Sequence, residues 1–137
     1  MSDMNAALNV AASGLRAQTA RMKVIAENIA NASSTAPNPG ADPYRRKLAT
    51  FGQVLDRESG ATEVKMTGIQ KDQSEFRLRY DPTHPGANGD GYVKLPNVNT
   101  LIESMDMREA QRAYEANLNV VESARAMMTR TIDLLRR

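Results

Sequence analysis

SDMNAALNVAASGLRAQTARMKVIAENIAN, residues 2–31, is the stretch that decides the fold. Met4, Leu8, Ala11, Leu15, Gln18, Met22, Ile25 and Ile29 recur at alternating spacings of four and three, the seam of a helix that lies along another helix. Gln18 is the one polar interruption, and Ala12, Thr19 and Ala26 sit beside the seam, small enough to let another backbone come close. Val10, Ala17 and Val24 form a second seven-residue series, which leaves Arg16, Lys23 and Glu27 as a narrow charged strip. A helix apolar around most of its circumference needs several neighbours to enclose it.

Outward from this stretch, Ser2 is expected to cap the helix, with Asp3 adding a favourable charge in its first turn. The helix can run to Asn31, a length of about 45 Å at 1.5 Å per residue. Asn31, Ser33, Ser34, Pro37, Pro39, Gly40 and Pro43 then impose a long loop that either bridges two regions or makes a contact itself. Between Tyr44 and Leu55 the spacing of Leu48, Phe51 and Leu55 fits a helix, while Tyr44, Thr50, Phe51 and Val54 suit a strand; the strand is preferred. Val64 and Met66 alternate with Glu63, Lys65 and Thr67 until Gly68 interrupts, and Phe76, Leu78 and Tyr80 alternate with Glu75, Arg77 and Arg79. These runs predict a small antiparallel β unit with an apolar and a charged face. Pro82, Pro85, Gly86 and Gly89 then return the chain to a last helix, opened by the capping pair Thr100 and Glu103. In that helix Met107, Tyr114, Val121, Met128 and Leu135 recur every seven residues, flanked by Leu118 and Ile132 on one side and Val120, Met127 and Leu134 on the other. Leu101 and Met105 fall on another phase, which predicts a stutter or kink before Met107.

The expected fold is therefore mainly α with a small β insert: long N- and C-terminal helices packing as a coiled coil around an antiparallel β-rich middle segment. The segments run 1–32 for the first helix, 33–98 for the loop and β middle, and 99–137 for the last helix. Leu8, Leu15, Met22 and Ile29 are expected to pack against Tyr114, Val121, Met128 and Leu135, with Leu118 alongside. Val10, Ala17 and Val24 are left for other subunits, and Asn28 and Asn31 are expected to end the helix and bond the loop.

Composition narrows the function. The 137 residues include no Trp, two Phe and four Tyr, so the core relies on aliphatic side chains and eight Met, and a lone copy is expected to be marginally folded. Eighteen basic and sixteen acidic residues leave a net charge of +2, with the signs mixed, so no polyanion partner is expected. The basic run Arg45, Arg46 and Lys47 is read as solvated charge beside a proline-bearing loop. Absence of Cys removes thiol nucleophiles, thiolate metal sites and disulfides. No apolar run approaches the roughly 20 residues that span a bilayer, and the N-terminus lacks the pattern of a secretory signal. A helix lying on a membrane surface competes for residues 2–31, but the stretch is poor in Lys and Arg and lacks Trp and Phe.

No catalytic, cofactor or metal site is expected. The only histidine, His84, stands in the turn sequence Asp81-Pro82-Thr83-His84-Pro85, where backbone geometry explains the residue types. Asp81, His84 and Asp90 match no ligand spacing, no glycine-flanked serine elbow exists, and no glycine-rich loop joins a strand to a helix.

Ser13-Gly14-Leu15, Ala17-Gln18, Arg21-Met22, Glu27-Asn28-Ile29-Ala30-Asn31-Ala32 and Pro43-Tyr44-Arg45-Arg46-Lys47 resemble the N-terminal signature of bacterial flagellar rod and hook proteins. The run Ala87-Asn88-Gly89-Asp90-Gly91-Tyr92-Val93-Lys94-Leu95-Pro96-Asn97-Val98-Asn99, followed by Tyr114-Glu115-Ala116-Asn117-Leu118, is similar to the proximal-rod branch of that family. Ser33 to Asp42 lengthens a connection that is usually short in the wider family. The resemblance implies a structural rod subunit that carries torque across the periplasm and is exported by the flagellar type III apparatus without signal cleavage. The implied partners are copies of itself, other rod proteins, and the inner-membrane ring and export apparatus at the rod base, with no nucleic acid and no membrane insertion. In that family the terminal helices pack in a tubular core with the insert outside, and they are commonly disordered before assembly. A soluble helical adaptor or chaperone-like module, using its seams on client helices, is the alternative.

Overall fold

The computed structural model describes residues 2–136. Six elements follow one another: α1 (Ser2–Ala30), β1 (Lys47–Leu55), β2 (Thr62–Lys71), β3 (Arg77–Tyr80), β4 (Tyr92–Leu95) and α2 (Thr100–Leu135). The mainly helical fold with a β middle is thus present, and the strand reading of residues 44–55 holds. The cap expected from the Ser2 side chain lies outside the described residues.

The middle forms two separate two-stranded sheets, β1 with β2 and β3 with β4, rather than one β unit. β3 and β4 are antiparallel, with Arg77 opposite Leu95 and Tyr80 opposite Tyr92. The chain between β2 and β3 does not join a ladder because side chains take its carbonyls. Arg45 Nη1 donates to Asp72 O and Ser74 O (3.1 and 3.2 Å), and Asn97 Nδ2 donates to the same two oxygens (2.9 and 3.1 Å). The faces of β3 are also not as expected, because Leu78 and Tyr80 are 61% and 65% exposed, while Val93 of β4 supplies the buried side. Gly68 does not end β2; Thr50 Oγ1 donates to the Gly68 carbonyl at 3.0 Å and the strand continues to Lys71.

The chain forms two compact units. One unit comprises Met1–Met22, Ala49–Gly68 and Arg108–Arg137, and the other Lys23–Leu48 and Ile69–Met107.

In the first unit α1 and α2 run antiparallel. Gly14 lies under the Asn117 side chain, where an added Cβ would stand 2.7 Å from Nδ2, and Arg21 Nη2 meets Glu109 Oε2 at 3.5 Å. Ala11, Ser13, Ala17, Ala110 and Ala124 are buried there. Small side chains thus form the close contact, and the larger Leu8, Leu15, Met22, Tyr114, Leu118, Val121 and Met128 are only half-buried. Ser13 ties the hairpin to α1: its hydroxyl donates to Val10 O (2.7 Å) and accepts from Val64 N (3.2 Å).

The second unit buries Val24, Ile25, Ala32, Ala36, Val93, Pro96 and Val98. Its long loop is held by a turn around His84. Gly86 N–H donates to His84 Nδ1 (2.8 Å), which places the ring hydrogen on Nε2, facing Thr35 Oγ1 at 3.0 Å. Gly86 is required for this approach, since a Cβ there would stand 2.4 Å from the Ala36 carbonyl oxygen.

Within the single chain Ala17 and Val24 are buried, Val10 is half-buried, and Ile29 and Leu135 are exposed, Leu135 by 78%. α2 is unbroken from Thr100, and the differing phase of Leu101 and Met105 leaves those side chains uncovered rather than demanding a stutter. Its cap is Asn99, whose Oδ1 accepts from Leu101 N at 3.0 Å; Glu103, expected to complete a capping box, turns inward instead.

Candidate functional site

The most connected set of polar side chains lies in the second unit, where α1, the segment entering β1, the residues after β2 and the start of α2 meet. Helical spacing brings Asn28 to the buried side of α1, three and four residues beyond Ile25 and Val24. Asn28 and Glu103 are each only 1% exposed. A buried amide needs partners for all its hydrogen-bonding capacity. Asn28 has four: Oδ1 accepts from Tyr44 Oη (2.7 Å) and Lys47 N (2.9 Å), while Nδ2 donates to Lys47 O (2.8 Å) and Glu103 Oε2 (3.3 Å).

Arg46 supplies the countercharge. Its Nε pairs with Glu103 Oε1, Nη1 with Asp72 Oδ2 at 3.3 Å and Nη2 with Asp106 Oδ2 at 3.5 Å. Burial alone would lower the Arg46 pKa, but the bond to Glu103, and then Asp72, raises it above the usual value, so the charge is held. Asp72 is pulled below the ordinary carboxylate range by the Ser74 N–H and hydroxyl, helped by Arg46. The Tyr44 hydroxyl is pushed up, first by burial and then by Glu27 and Glu103, which keeps it a donor to Asn28.

Asn97 closes the arrangement. Its Oδ1 accepts from Arg46 N at 2.7 Å while its amide holds the carbonyls of Asp72 and Ser74, so both ends of the β1–β2 hairpin are clamped beside the helix contact. Asp72 N–H also donates to Arg46 O at 2.8 Å. The basic run is therefore not free charge. Arg45 stacks over Phe76, 4.3 Å from the ring centroid, and Lys47 Nζ reaches Glu27 at 3.4 Å. This is an arrangement that fixes chain segments to one another, with its donors and acceptors already engaged.

Of the residues named from sequence as interface positions, Asn28 enters this hub. Asn31 stays at the helix end, with Nδ2 donating to Glu27 O at 2.8 Å. Leu8, Leu15, Met22, Tyr114, Leu118, Val121 and Met128 line the two helices outside the hub. Sequence reasoning missed Arg46, Glu103, Asp72 and Asn97. The available signal was that Arg46 and Asn97 fall inside the motifs that carry the family resemblance.

Those motifs gain physical meaning here. Ser13 and Gly14 dock the hairpin and α2, Asn28, Tyr44, Arg46 and Lys47 form the hub, Val93, Pro96 and Val98 are core, and Asn97 and Asn99 fix the entry to α2. A family model described as flagella basal body rod protein matches residues 8–36, and one described as flagellar basal body rod FlgEFG protein C-terminal matches residues 90–134. The helical ends and the β-bearing middle between them are thus those of flagellar basal-body rod proteins. The chain is 51% identical over 136 residues to the flagellar basal-body rod protein FlgC of Agrobacterium fabrum, covering 99% of this chain and 98% of that one. It is 41% identical to FlgC of Borreliella burgdorferi (93% and 95% covered) and 37% identical to that of Bacillus subtilis (93% and 95%). The chain belongs to the FlgC family, structural subunits of the flagellar basal-body rod.

Proposed function

We propose that this rod subunit polymerises helically through its terminal helices, with residues 1–32 and 99–137 forming the axial core and residues 33–98 lying outside it. The observation that carries this reading is the apolar surface a single copy leaves uncovered along α2. Leu101, Met105, Val120, Met127, Leu134 and Leu135 are all exposed, and α1 adds Ile29. In the first unit, Met4, Ala7, Val120, Ala124 and Met127 line a groove of about 510 Å³. A marginal chain gains stability when neighbours cover such surface, which couples the order of its ends to assembly. Head-to-tail contacts whose rotation does not close build an open helical array.

On this reading Leu8, Leu15, Met22, Ile29, Tyr114, Leu118, Val121, Met128 and Leu135 complete their burial against other copies and other rod proteins. The assembled rod spans the periplasm from the inner-membrane ring and export apparatus and transmits torque. The chain reaches the growing tip by type III export without losing its N-terminus, which low stability in isolation favours. The role is structural rather than catalytic.

Amide hydrogen exchange on the isolated chain and on purified basal bodies tests the coupling. Residues 2–31 and 100–136 are expected to gain protection only in the assembled form; strong, equal protection in both would refute it. Met127→Asp is expected to leave the isolated chain's stability within about 0.5 kcal/mol, as for surface substitutions generally, and to prevent incorporation into basal bodies.

A further inference from the structure

Asn88 is the one asparagine of the chain that glycine follows, and both residues are exposed in the turn between β3 and β4. The turn is tied at both ends. Asn88 N–H donates to Tyr92 O (2.9 Å), Gly91 N–H donates to Asn88 O (3.0 Å), and Gly91 takes a φ of 86° that only glycine adopts without strain. Within this frame Asn88 Oδ1 accepts two backbone N–H groups, from Asp90 and from Tyr92, each at 3.0 Å. The bond to Asp90 curls the side chain back over the Gly89 peptide. Among the described residues neither Asn88 Nδ2 nor the Gly89 N–H has a hydrogen-bond partner, and nothing lies within 4 Å of where a Gly89 side chain would begin.

We propose that Asn88 is a site of spontaneous deamidation, in which Gly89 N attacks Asn88 Cγ while the Asp90 and Tyr92 N–H groups stabilise the oxyanion. Two backbone N–H donors on one carbonyl oxygen form the arrangement that stabilises a tetrahedral intermediate, and both stand within the range of about 2.7–3.1 Å that this requires. The Gly89 nitrogen gives its hydrogen to solvent base and bonds to Cγ, closing a five-membered ring as the carbonyl electron pair moves onto Oδ1. The carbonyl then re-forms, the Cγ–Nδ2 bond breaks, and Nδ2 takes a proton from water and leaves as ammonia. Water opens the resulting succinimide at either carbonyl, so the net change is hydrolysis of the side-chain amide. Opening at Cγ gives aspartate, whose carboxylate strengthens the two N–H bonds. Opening at the main-chain carbonyl gives isoaspartate, with one more methylene in the backbone, which parts residue 88 from Gly91 and Tyr92 and loosens the Tyr80–Tyr92 end of the sheet. Asn99 and Asn28 lack this combination. Asn99 accepts from Leu101 N at 3.0 Å but precedes Thr100, and the Asn28 amide is buried with Nδ2 engaged.

The full chain, incubated at mildly alkaline pH in oxygen-labelled water and then digested and mapped by mass, provides the test. Conversion and label are expected at Asn88, at least roughly tenfold ahead of Asn99 and every other asparagine. Gly89 lies outside the left-handed region, so Gly89→Ala is expected to fold, and its methyl group, crowding the attacking nitrogen, is expected to slow conversion by roughly tenfold. Unfolding in guanidinium chloride disperses the two donors and is expected to slow conversion as well, which separates this turn from an Asn-Gly pair that reacts by sequence alone. The proposal is overturned if Asn88 stays intact in the folded chain, or if Gly89→Ala converts at the same rate. Conversion as fast or faster in the unfolded chain overturns it as well.

Discussion

The two units are held by opposite means. In the second, polar side chains from four stretches of chain meet in a buried network whose central amide makes four hydrogen bonds. In the first, α1 and α2 approach through Gly14, Ala110 and Ala124, the hairpin is tied on by Ser13, and Gln18 Oε1 is buried without a hydrogen-bond partner among the described residues. Directional bonds hold the second unit within one copy, although Leu101 and Met105 stay exposed there. The first relies on non-directional contact and leaves Val120, Met127 and Leu134 uncovered. The contrast shows how one small chain can combine a bonded interior in one unit with a loosely held interior in the other, and leave apolar surface uncovered in both.

The strongest way to break this contrast is Asn28→Ala. It strands the Tyr44 hydroxyl, the Lys47 amide group and one Glu103 oxygen, and is expected to cost about 3 kcal/mol in the denaturation of the full chain. Loss of exchange protection is expected first in residues 23–48 and 69–107. Gly86→Ala comes next. Its Cβ would press on the Ala36 carbonyl, a backbone atom that cannot turn aside, and a cost of about 2 kcal/mol is expected by the same measurement.

A smaller effect is expected in the first unit. The Cβ of Gly14→Ala meets only the end of the Asn117 side chain, which can rotate, so the cost is expected at about 1 kcal/mol and should vanish in the double variant with Asn117→Ala. A double-mutant cycle reads this directly, and additive effects would show that the two residues do not touch.

The smallest effect sharpens the electrostatic side. Because the folded chain holds the Asp72 carboxyl below its ordinary value of about 4, its contribution is complete above that pH and is lost as pH falls through the lower folded value. Asp72→Asn is expected to remove under about 1 kcal/mol at neutral pH and to flatten the acid limb of a stability-against-pH curve. An unchanged acid limb would show that Asp72 carries none of that dependence.

Much of this was legible in the chain itself. Periodicity marked both helices, alternation marked β2 and β3, residue type favoured β1, and the motifs around Asn28, Arg46 and Asn97 marked the family, while β4 carried no such signal. Hydrophobic spacing was a partial guide to the contact face, since the seam positions Ala11 and Ile25 are buried. The heptads of Leu8, Leu15 and Met22 and of Tyr114, Val121 and Met128 were prominent because their side chains are large, yet these are half-buried, while Ala17, Ala110, Ala124, Asn28 and Glu103 are buried. A small residue gives little apolar signal, and it is its smallness that lets the backbones approach.

The sequence by itself determined what is local: helices from residue spacing, loop boundaries from proline, glycine and asparagine, and family membership from contiguous motifs. Tertiary structure alone decided what is not local. That Glu103 turns inward rather than capping its helix, and that Arg46 is held rather than solvated, depend on partners 75 and 57 residues away along the chain. A charged or amide side chain has no preference for burial until those partners surround it, because only their bonds offset its loss of water.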